Sequence, residues 1–354
     1  MAVDYDAVSG LPADARQIVA RALEEDAPYG DITCRTFVDA GSVIDAVVRA
    51  REAGVMAGGE VFAEVMRQAA ERVGTQAGRG REANGIDASG IETSGIKVGG
   101  IKVRQHVADG EAFAANDVLI SVSGPAHAVL LGERVGLNLL QRMCAIATVT
   151  RAYVEAAQAG RARGGFDGVV RVADTRKTTP GLRSLERLAV RCGGGYNHRW
   201  GLSDAVMLKD NHVSLLGEGD ELTRNLLRGK QRLGHTTHFE VEVDTPEQIE
   251  PVLAAGVDTI MLDNFDTDAL ATGVRQVAGR AYVEASGNVN LETIGAIAAT
   301  GVDVISVGAL THAVSNLDLG LDAELADSNC ASDSADTQTD AADTESDGAG
   351  AVSG

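Results

Sequence analysis

The strongest constraint on the fold of this 354-residue chain is a regular alternation that begins at about residue 165. Apolar, strand-like runs occur at "GVVRVADT", "DAVMLKDNH", "HFEVEVDT", "DTIMLDNF", "AYVEASGN" and "VDVISVGAL". Helical patterns such as "PEQIEPVLAAG" and "NLETIGAIAATG" lie between them. Apolar strands that each lead into a helix specify a parallel sheet covered by helices. Six or more such units predict an α/β barrel, complete or partial, with an open doubly wound sheet as the competing arrangement.

The chain before this region reads differently. "PADARQIVARALEED" predicts an amphipathic helix with a proline near its start, "SVIDAVVRARE" a strand and "GEVFAEVMRQAAERV" a second helix. "IKVRQHVADGEAF" and "DVLISVSGP" predict two strands around an Asp-Gly turn. Residues 1–128 are therefore expected to form a small α+β domain and residues 129–314 the barrel. "HAVLLGERVGLNLLQRM" opens a long helix with Leu131, Val135, Leu139 and Met143 on one stripe and Arg134, Asn138 and Arg142 on the next. Residues 79–102 repeat Gly-Ile-charge every five positions and are expected as a flexible insert, with a short β-repeat as the alternative. From Asp318 onward there are ten acids and no base. Residues 325–354 bury too little apolar surface to offset their ordering entropy and are expected as a disordered tail, with 315–324 packing back on the first domain.

The 51 acids outnumber the 31 bases, giving a formal charge of -20. Such a surface repels nucleic acid and anionic membranes. Lysines number five against 26 arginines, a balance that resembles a halophile's cytosolic protein. The first residues lack a basic region followed by an apolar one, and no run reaches a membrane span, so a cytoplasmic protein is expected. Cys34, Cys144, Cys192 and Cys330 are far apart, which supports isolated thiols rather than disulfides or a zinc site.

In an α/β barrel the chemistry sits at the carboxyl ends of the strands. Here those ends carry Thr175, Arg176 and Lys177, then Lys209, Asp210 and Asn211, then Glu242 and Asp244, Asp263 and Asn264, Glu284 with Ser286, Gly287 and Asn288, and Gly308. A charge at one strand end is ordinarily a solvated loop residue, but six successive ends carrying charge or glycine make that explanation weak. Cations come from the earlier elements, with His198 and Arg199 in the loop between. Carboxylates, Glu242 and Asp263, come from the middle strands. The last two turns, "ASGNV" and "SVGAL", are small enough for backbone N–H groups to approach a phosphate. Two unit charges about 4 Å apart interact by roughly 4 kcal/mol at an effective dielectric of 20, so converging cations suit a dicarboxylate. The carboxylates suit Mg2+ or sugar hydroxyls. Pro180 is expected to start a helix behind the Arg176-Lys177 loop.

"DTRKTTPGLRSLERLAVRCGGGYNHRWGLSDAVMLKDNHV", "EVEVDTPEQIEPVLAAGVDTIMLDN", "VEASGNVNLETI" and "ISVGALTHAV" resemble the successive signature blocks of the nicotinate-nucleotide pyrophosphorylase (carboxylating) family, also called quinolinate phosphoribosyltransferase. The resemblance runs from about Glu133 to Leu321, and "GDIT" at 30–33 also fits. It implies an N-terminal open α/β sandwich beside an incomplete, seven-stranded α/β barrel, and a homodimer or a trimer of dimers. It implies transfer of phosphoribosyl from 5-phosphoribosyl 1-diphosphate to quinolinate with decarboxylation. Arg134 would come from the neighbouring subunit. Arg176, His198 and Arg199, beside Thr175, would hold the quinolinate carboxylates, and Lys177 and Lys209 would face the diphosphate and the reacting centre. Glu242 and Asp263 would bind ribose hydroxyls and Mg2+. Ser286, Gly287, Asn288, Val307, Gly308 and Ala309 would cradle the 5-phosphate, although Asn288 stands where many members carry Gly. A related transferase acting on nicotinate, a Schiff-base aldolase using Lys209 and a non-catalytic binding protein are the rival readings.

Overall fold

The computed structural model describes residues 10–78, 91–92, 95–98 and 100–324. Helix α1 (Ala15–Asp26) buries Ala15, Ile18, Val19 and Leu23, the three-and-four spacing of one helix face. Helix α2 (Ile32–Phe37) starts at Asp31, whose carboxylate accepts the N–H groups of Thr33 at 2.8 Å and Cys34 at 3.1 Å. Strands β1 (Val43–Ala50) and β2 (Gly54–Val55), helix α3 (Gly59–Gly78), and strands β3 (Ile91–Glu92), β4 (Gly95–Val98), β5 (Ile101–Gln105), β6 (Ala112–Phe113) and β7 (Val118–Pro125) follow.

Part of the presumed flexible insert is strand. β3 pairs with β4 and β4 with β5, all antiparallel, in the register Ile91↔Ile96 and Ile96↔Val103. Ile91 lies opposite Ile96, but Ile96 lies opposite Val103, so the stretch follows the β-repeat alternative without a strict pairing of one Gly-Ile unit with the next; residues 79–90, 93–94 and 99 lie outside the described residues. The same holds for the acidic segment 325–354 and for Cys330. Cys34, Cys144 and Cys192 are free and buried.

Helix α4 (Ala126–Arg163) runs for 38 residues. Val135, Leu139 and Met143 join one hydrophobic cluster, and Leu137, Leu140 and Cys144 another. One helix thus serves both cores. Phe62 and Met66 of α3 bury with Val48, Ile120 and Val122 of the sheet in the second cluster, giving a layer of helices on a sheet.

The second half alternates as β8 (Arg171–Ala173), α5 (Arg183–Cys192), β9 (Val206–Leu208), α6 (Asp210–Val213), α7 (Gly219–Lys230), β10 (Phe239–Val243), α8 (Ile249–Ala254), β11 (Thr259–Asp263), α9 (Thr267–Val277), β12 (Tyr282–Ser286), α10 (Ile294–Ala298), β13 (Val304–Ser306) and α11 (Ala309–His312). The last strand, β14 (Leu319–Glu324), returns to pair antiparallel with β1, in the sheet order β14-β1-β7-β5-β4-β3. The parallel strands run β8-β13-β12-β11-β10-β9. The first strand lies beside the last, the circular order of a barrel; a doubly wound sheet would hold its first strand in the middle. Six segments of this barrel are strands among the described residues. Between β8 and β9 the chain adds a single parallel bridge, Tyr196 to Ala173, at the seventh position of the incomplete barrel.

The strands are not apolar on both faces. In β10, Phe239, Val241 and Val243 join the outer core under the helices, while Glu240 and Glu242 alternate with them and face inward. β12 repeats this with Val283 and Ala285 outside and Glu284 inside. The barrel interior is therefore polar. Among the described residues no helix is long and apolar enough to cross a membrane.

Candidate active site

At the carboxyl ends of the parallel strands lies a cavity of about 400 Å³, lined by Thr175, Arg176, Lys177, His198, Arg199, Met207, Lys209, Met261, Ser286 and Ser306. The loop after β8 supplies the first three. It is tied down by Thr311, whose hydroxyl donates to the Lys177 carbonyl at 2.7 Å, and by the buried Glu186, which accepts the Thr179 N–H at 3.0 Å and the Arg142 guanidinium at 2.9 Å. Pro180 does not start a helix. It precedes Gly181 at φ 84 in a turn closed by the Leu182 N–H on the Thr179 carbonyl, and α5 begins only at Arg183. The positive φ at Gly181 ends any helical path from Pro180.

Asp174, fully buried at the end of β8, holds the loop that carries His198 and Arg199. It accepts the His198 N–H and the Asn197 amide, each at 2.7 Å, and faces Arg187 at 3.3 Å. Arg187 donates to the His198 and Arg199 carbonyls and lies over the Trp200 ring at 5.2 Å. Burial pushes the Asp174 carboxyl up against the pull of Arg187. Burial and the nearby Arg176 charge both lower the pKa of Arg199. Arg176 and Arg199 thus repel one another across the cavity, and an anion between them removes that cost.

His198 is placed otherwise than expected. Its Nδ1 accepts the Arg199 N–H at 2.7 Å, and its Nε2 faces Glu284 at 3.3 Å and Glu240 at 3.5 Å. Nδ1 is thus taken by the loop backbone, and Nε2 faces the two buried carboxylates.

Lys209, at the end of β9, forms an ion pair with Glu242. The ligand oxygens of Glu242, Asp244 and Asp263 lie within 4.8 Å of one another. Burial raises the Glu242 pKa; repulsion from Asp263 and Asp210 adds to it, against the pull of Lys209. Asp244 is raised by burial, Asp210 and Asp263 in the same way. Three carboxylates pressed together want a shared cation, and an all-oxygen set fits a hard ion such as Mg2+.

On the remaining side, Gly287 adopts φ 89 and Asn288 φ 52, and the Asn288 amide donates to Asn264 Oδ1 at 3.1 Å. Asn is among the residues that enter the left-handed region readily, so Asn288 holds this turn at little cost. Val307 is buried, Ala309 opens α11, and a Cβ on Gly308 would sit 3.0 Å from the Lys177 side chain. Arg134 is apart from all of these: it projects from α4 with its side chain 60 % exposed, 4.0 Å from Glu133, and does not line this chain's cavity.

Comparison with known proteins identifies the family. The family profile "Quinolinate phosphoribosyl transferase, N-terminal domain" matches residues 31–144, and its C-terminal counterpart matches residues 146–322. The chain belongs to the quinolinate phosphoribosyltransferase family. The nicotinate-nucleotide pyrophosphorylase [carboxylating] of Mycobacterium leprae is 38 % identical over 312 residues, covering 87 % of this chain and 96 % of that protein. A mitochondrial quinolinate phosphoribosyltransferase [decarboxylating] of Nicotiana glauca is 36 % identical over 339 residues, covering 88 % and 84 %. The solved nicotinate-nucleotide pyrophosphorylase of Francisella tularensis superposes with a TM-score of 0.74 at 31 % identity, covering 90 % of this chain and 99 % of that one.

For a member of this family, reading only strand ends missed several residues. Asp244 was visible at a strand end but carried no role. Asp174, Arg187 and Glu186 are buried struts that no motif announces. Glu284, like Asp244, was named at a strand end without a role, and Glu240, which was passed over, had a readable signal: acids alternating with apolar residues in "FEVEV", as in "YVEAS".

Proposed function

We propose that this chain transfers the phosphoribosyl group of 5-phosphoribosyl 1-diphosphate to the ring nitrogen of quinolinate, with loss of CO2, to give nicotinate mononucleotide and diphosphate in de novo NAD biosynthesis. The observation that carries this reading is the convergence of Arg176, Lys177, Arg199 and Lys209 on one cavity beside the Glu242, Asp244 and Asp263 carboxylates. The planar guanidiniums of Arg176 and Arg199 suit the two quinolinate carboxylates, and His198 and Thr175 shape the wall beside them. Lys177 and Lys209 face the diphosphate. Glu242, Asp244 and Asp263 would hold Mg2+ or the ribose hydroxyls, and a bound Mg2+ would supply positive charge to offset that of the diphosphate leaving group. Ser286, Gly287, Asn288, Val307, Gly308 and Ala309 receive the 5-phosphate through backbone N–H groups.

The C1–O bond breaks first, diphosphate leaving with the electron pair, and the sugar becomes oxocarbenium-like. The quinolinate nitrogen then bonds to C1. The ring nitrogen is now positive, which stabilises the electron pair left at C2 when the carboxylate departs as CO2; a proton then takes its place. Preorganised charge does the work, with no covalent enzyme intermediate.

The site is completed in a homodimer, or a trimer of dimers, by Arg134 of the neighbouring subunit, and the protein works in the cytoplasm. A Schiff-base role for Lys209 is disfavoured because its ammonium is paired with a buried carboxylate, which opposes the neutral amine. The nearest rival is a transferase acting on nicotinate, which needs a single carboxylate clamp. Equal concentrations of quinolinate and nicotinate with 5-phosphoribosyl 1-diphosphate and Mg2+ separate the two. Consumption of quinolinate is expected; consumption of nicotinate alone, or of neither at any salt concentration, refutes the reading.

A further inference from the structure

Two buried carboxylates have no part in the chemistry above. Glu240 and Glu284 point into the barrel from β10 and β12, each 3 % exposed, one inward step below Glu242 and Ser286. His198 Nε2, Glu240 Oε1 and Glu284 Oε1 are all buried without a hydrogen bond of good geometry, and the two carboxylates face Nε2 at 3.5 and 3.3 Å as its nearest charged neighbours. Acids are rarely buried without a partner, so the arrangement calls for a reason.

The other side of the imidazole supplies one. Nδ1 accepts the backbone N–H of Arg199 at 2.7 Å. An acceptor nitrogen carries no proton, so the ring's proton sits on Nε2, between the two carboxylates. A metal held by the same three side chains would need Nε2 bare and the proton on Nδ1, which that bond forbids. Burial lowers the ring's affinity for a second proton, but the two carboxylates outweigh it and raise the pKa to about 10; that proton has no seat while the Arg199 N–H points at Nδ1 from 2.7 Å, so the geometry holds the ring with its one proton on Nε2. The connected path is therefore Glu240 and Glu284 to His198 to the Arg199 backbone, and the Arg199 guanidinium lines the cavity.

We infer that Glu240 and Glu284 are positioning residues that act through His198 to set Arg199, and so govern recognition of the aromatic dicarboxylate while leaving the sugar diphosphate untouched. This rests on the proposed function for the identity of the substrate. Asp174 and Arg187 hold the same loop through the backbone of 197–199; the two glutamates add its orientation about the ring.

Glu240→Met and Glu284→Met remove the acceptors at similar volume. Each should raise the quinolinate KM about tenfold, the cost of one misplaced charge-assisted contact, with the 5-phosphoribosyl 1-diphosphate KM and kcat within about threefold. Glu240→Gln and Glu284→Gln, whose amide oxygen still accepts from Nε2–H, should stay within about threefold of the unaltered protein throughout. An equal rise in both KM values, no rise at all, or glutamines as impaired as methionines overturns the inference. Should the methionine chains fail to fold, 15N-histidine NMR of the unaltered full chain decides, with the His198 signal identified by its loss in His198→Gln. A protonated Nε2 with a bare Nδ1 is expected, and a proton on Nδ1 overturns the path. A protein that never saturates with quinolinate refutes the functional reading instead, while the NMR result still judges the path.

Discussion

Replacing Gly287 by alanine tests the turn after β12 most sharply. A Cβ there would lie 2.2 Å from Asn264 Oδ1 and 3.0 Å from the Asn264 backbone nitrogen. Asn264 has little freedom to retreat. Its own φ is 56, its N–H donates to the Ser286 carbonyl at 2.9 Å, its amide donates to Asp263 at 2.6 Å, and its Oδ1 accepts from Asn288 at 3.1 Å. The left-handed backbone costs a non-glycine residue about 1–2 kcal/mol. Losing the two side-chain hydrogen bonds of Asn264 costs about 1 kcal/mol each. Together this is about 3–4 kcal/mol, and at about 2 °C per kcal/mol for a chain of this size Tm should fall by roughly 6–8 °C. Asp263 loses its Asn264 partner at the same time, so the KM for 5-phosphoribosyl 1-diphosphate and the Mg2+ requirement should rise while the quinolinate KM holds. Calorimetry with two-substrate kinetics checks both halves. A Gly287→Ala protein with unchanged Tm and unchanged diphosphate KM would refute the reasoning.

Arg176→Ala should mainly raise the quinolinate KM, by roughly 10- to 150-fold for a lost charge-assisted contact of about 1.5–3 kcal/mol. Glu242→Ala should mainly lower kcat; steady-state kinetics of both variants measures the split, and small equal effects would mean the site is misplaced. Because burial and the neighbouring acids raise Glu242, cation binding there must displace a proton at low pH. Mg2+ titrations at descending pH should therefore show a rising half-saturation point. Mixing inactive Arg134→Ala and Lys209→Ala subunits should restore about a quarter of full activity if each site borrows its neighbour's arginine, since half the dimers are mixed and one of their two sites is intact. No recovery on mixing would place Arg134 outside the site.

The barrel was legible because every β-to-α unit repeats the same pattern, and the strand ends were legible because six of them carried charge or glycine. Arg176, Lys177, Arg199 and Lys209 could be gathered from strand order alone. What sequence order could not reveal was orientation. The ring of His198 turns down to Glu240 and Glu284 because a backbone N–H one residue away claims Nδ1, a contact that motif reading does not encode. Pro180 was misread because a proline opens a turn as well as a helix, and Gly181 at positive φ chose the turn. Glu240 was passed over and Glu284 left without a role because only the strand ends were searched for chemistry, whereas a small barrel has an inside of its own. Gly-Ile units at period five were taken for a loop because glycine weakens any strand pattern.

The most direct test uses quinolinate labelled with 13C in its 2-carboxylate, supplied with 5-phosphoribosyl 1-diphosphate and Mg2+. The account predicts one labelled CO2 for each nicotinate mononucleotide and each diphosphate formed. Label retained in a nucleotide product, or diphosphate released with no labelled CO2, would contradict it.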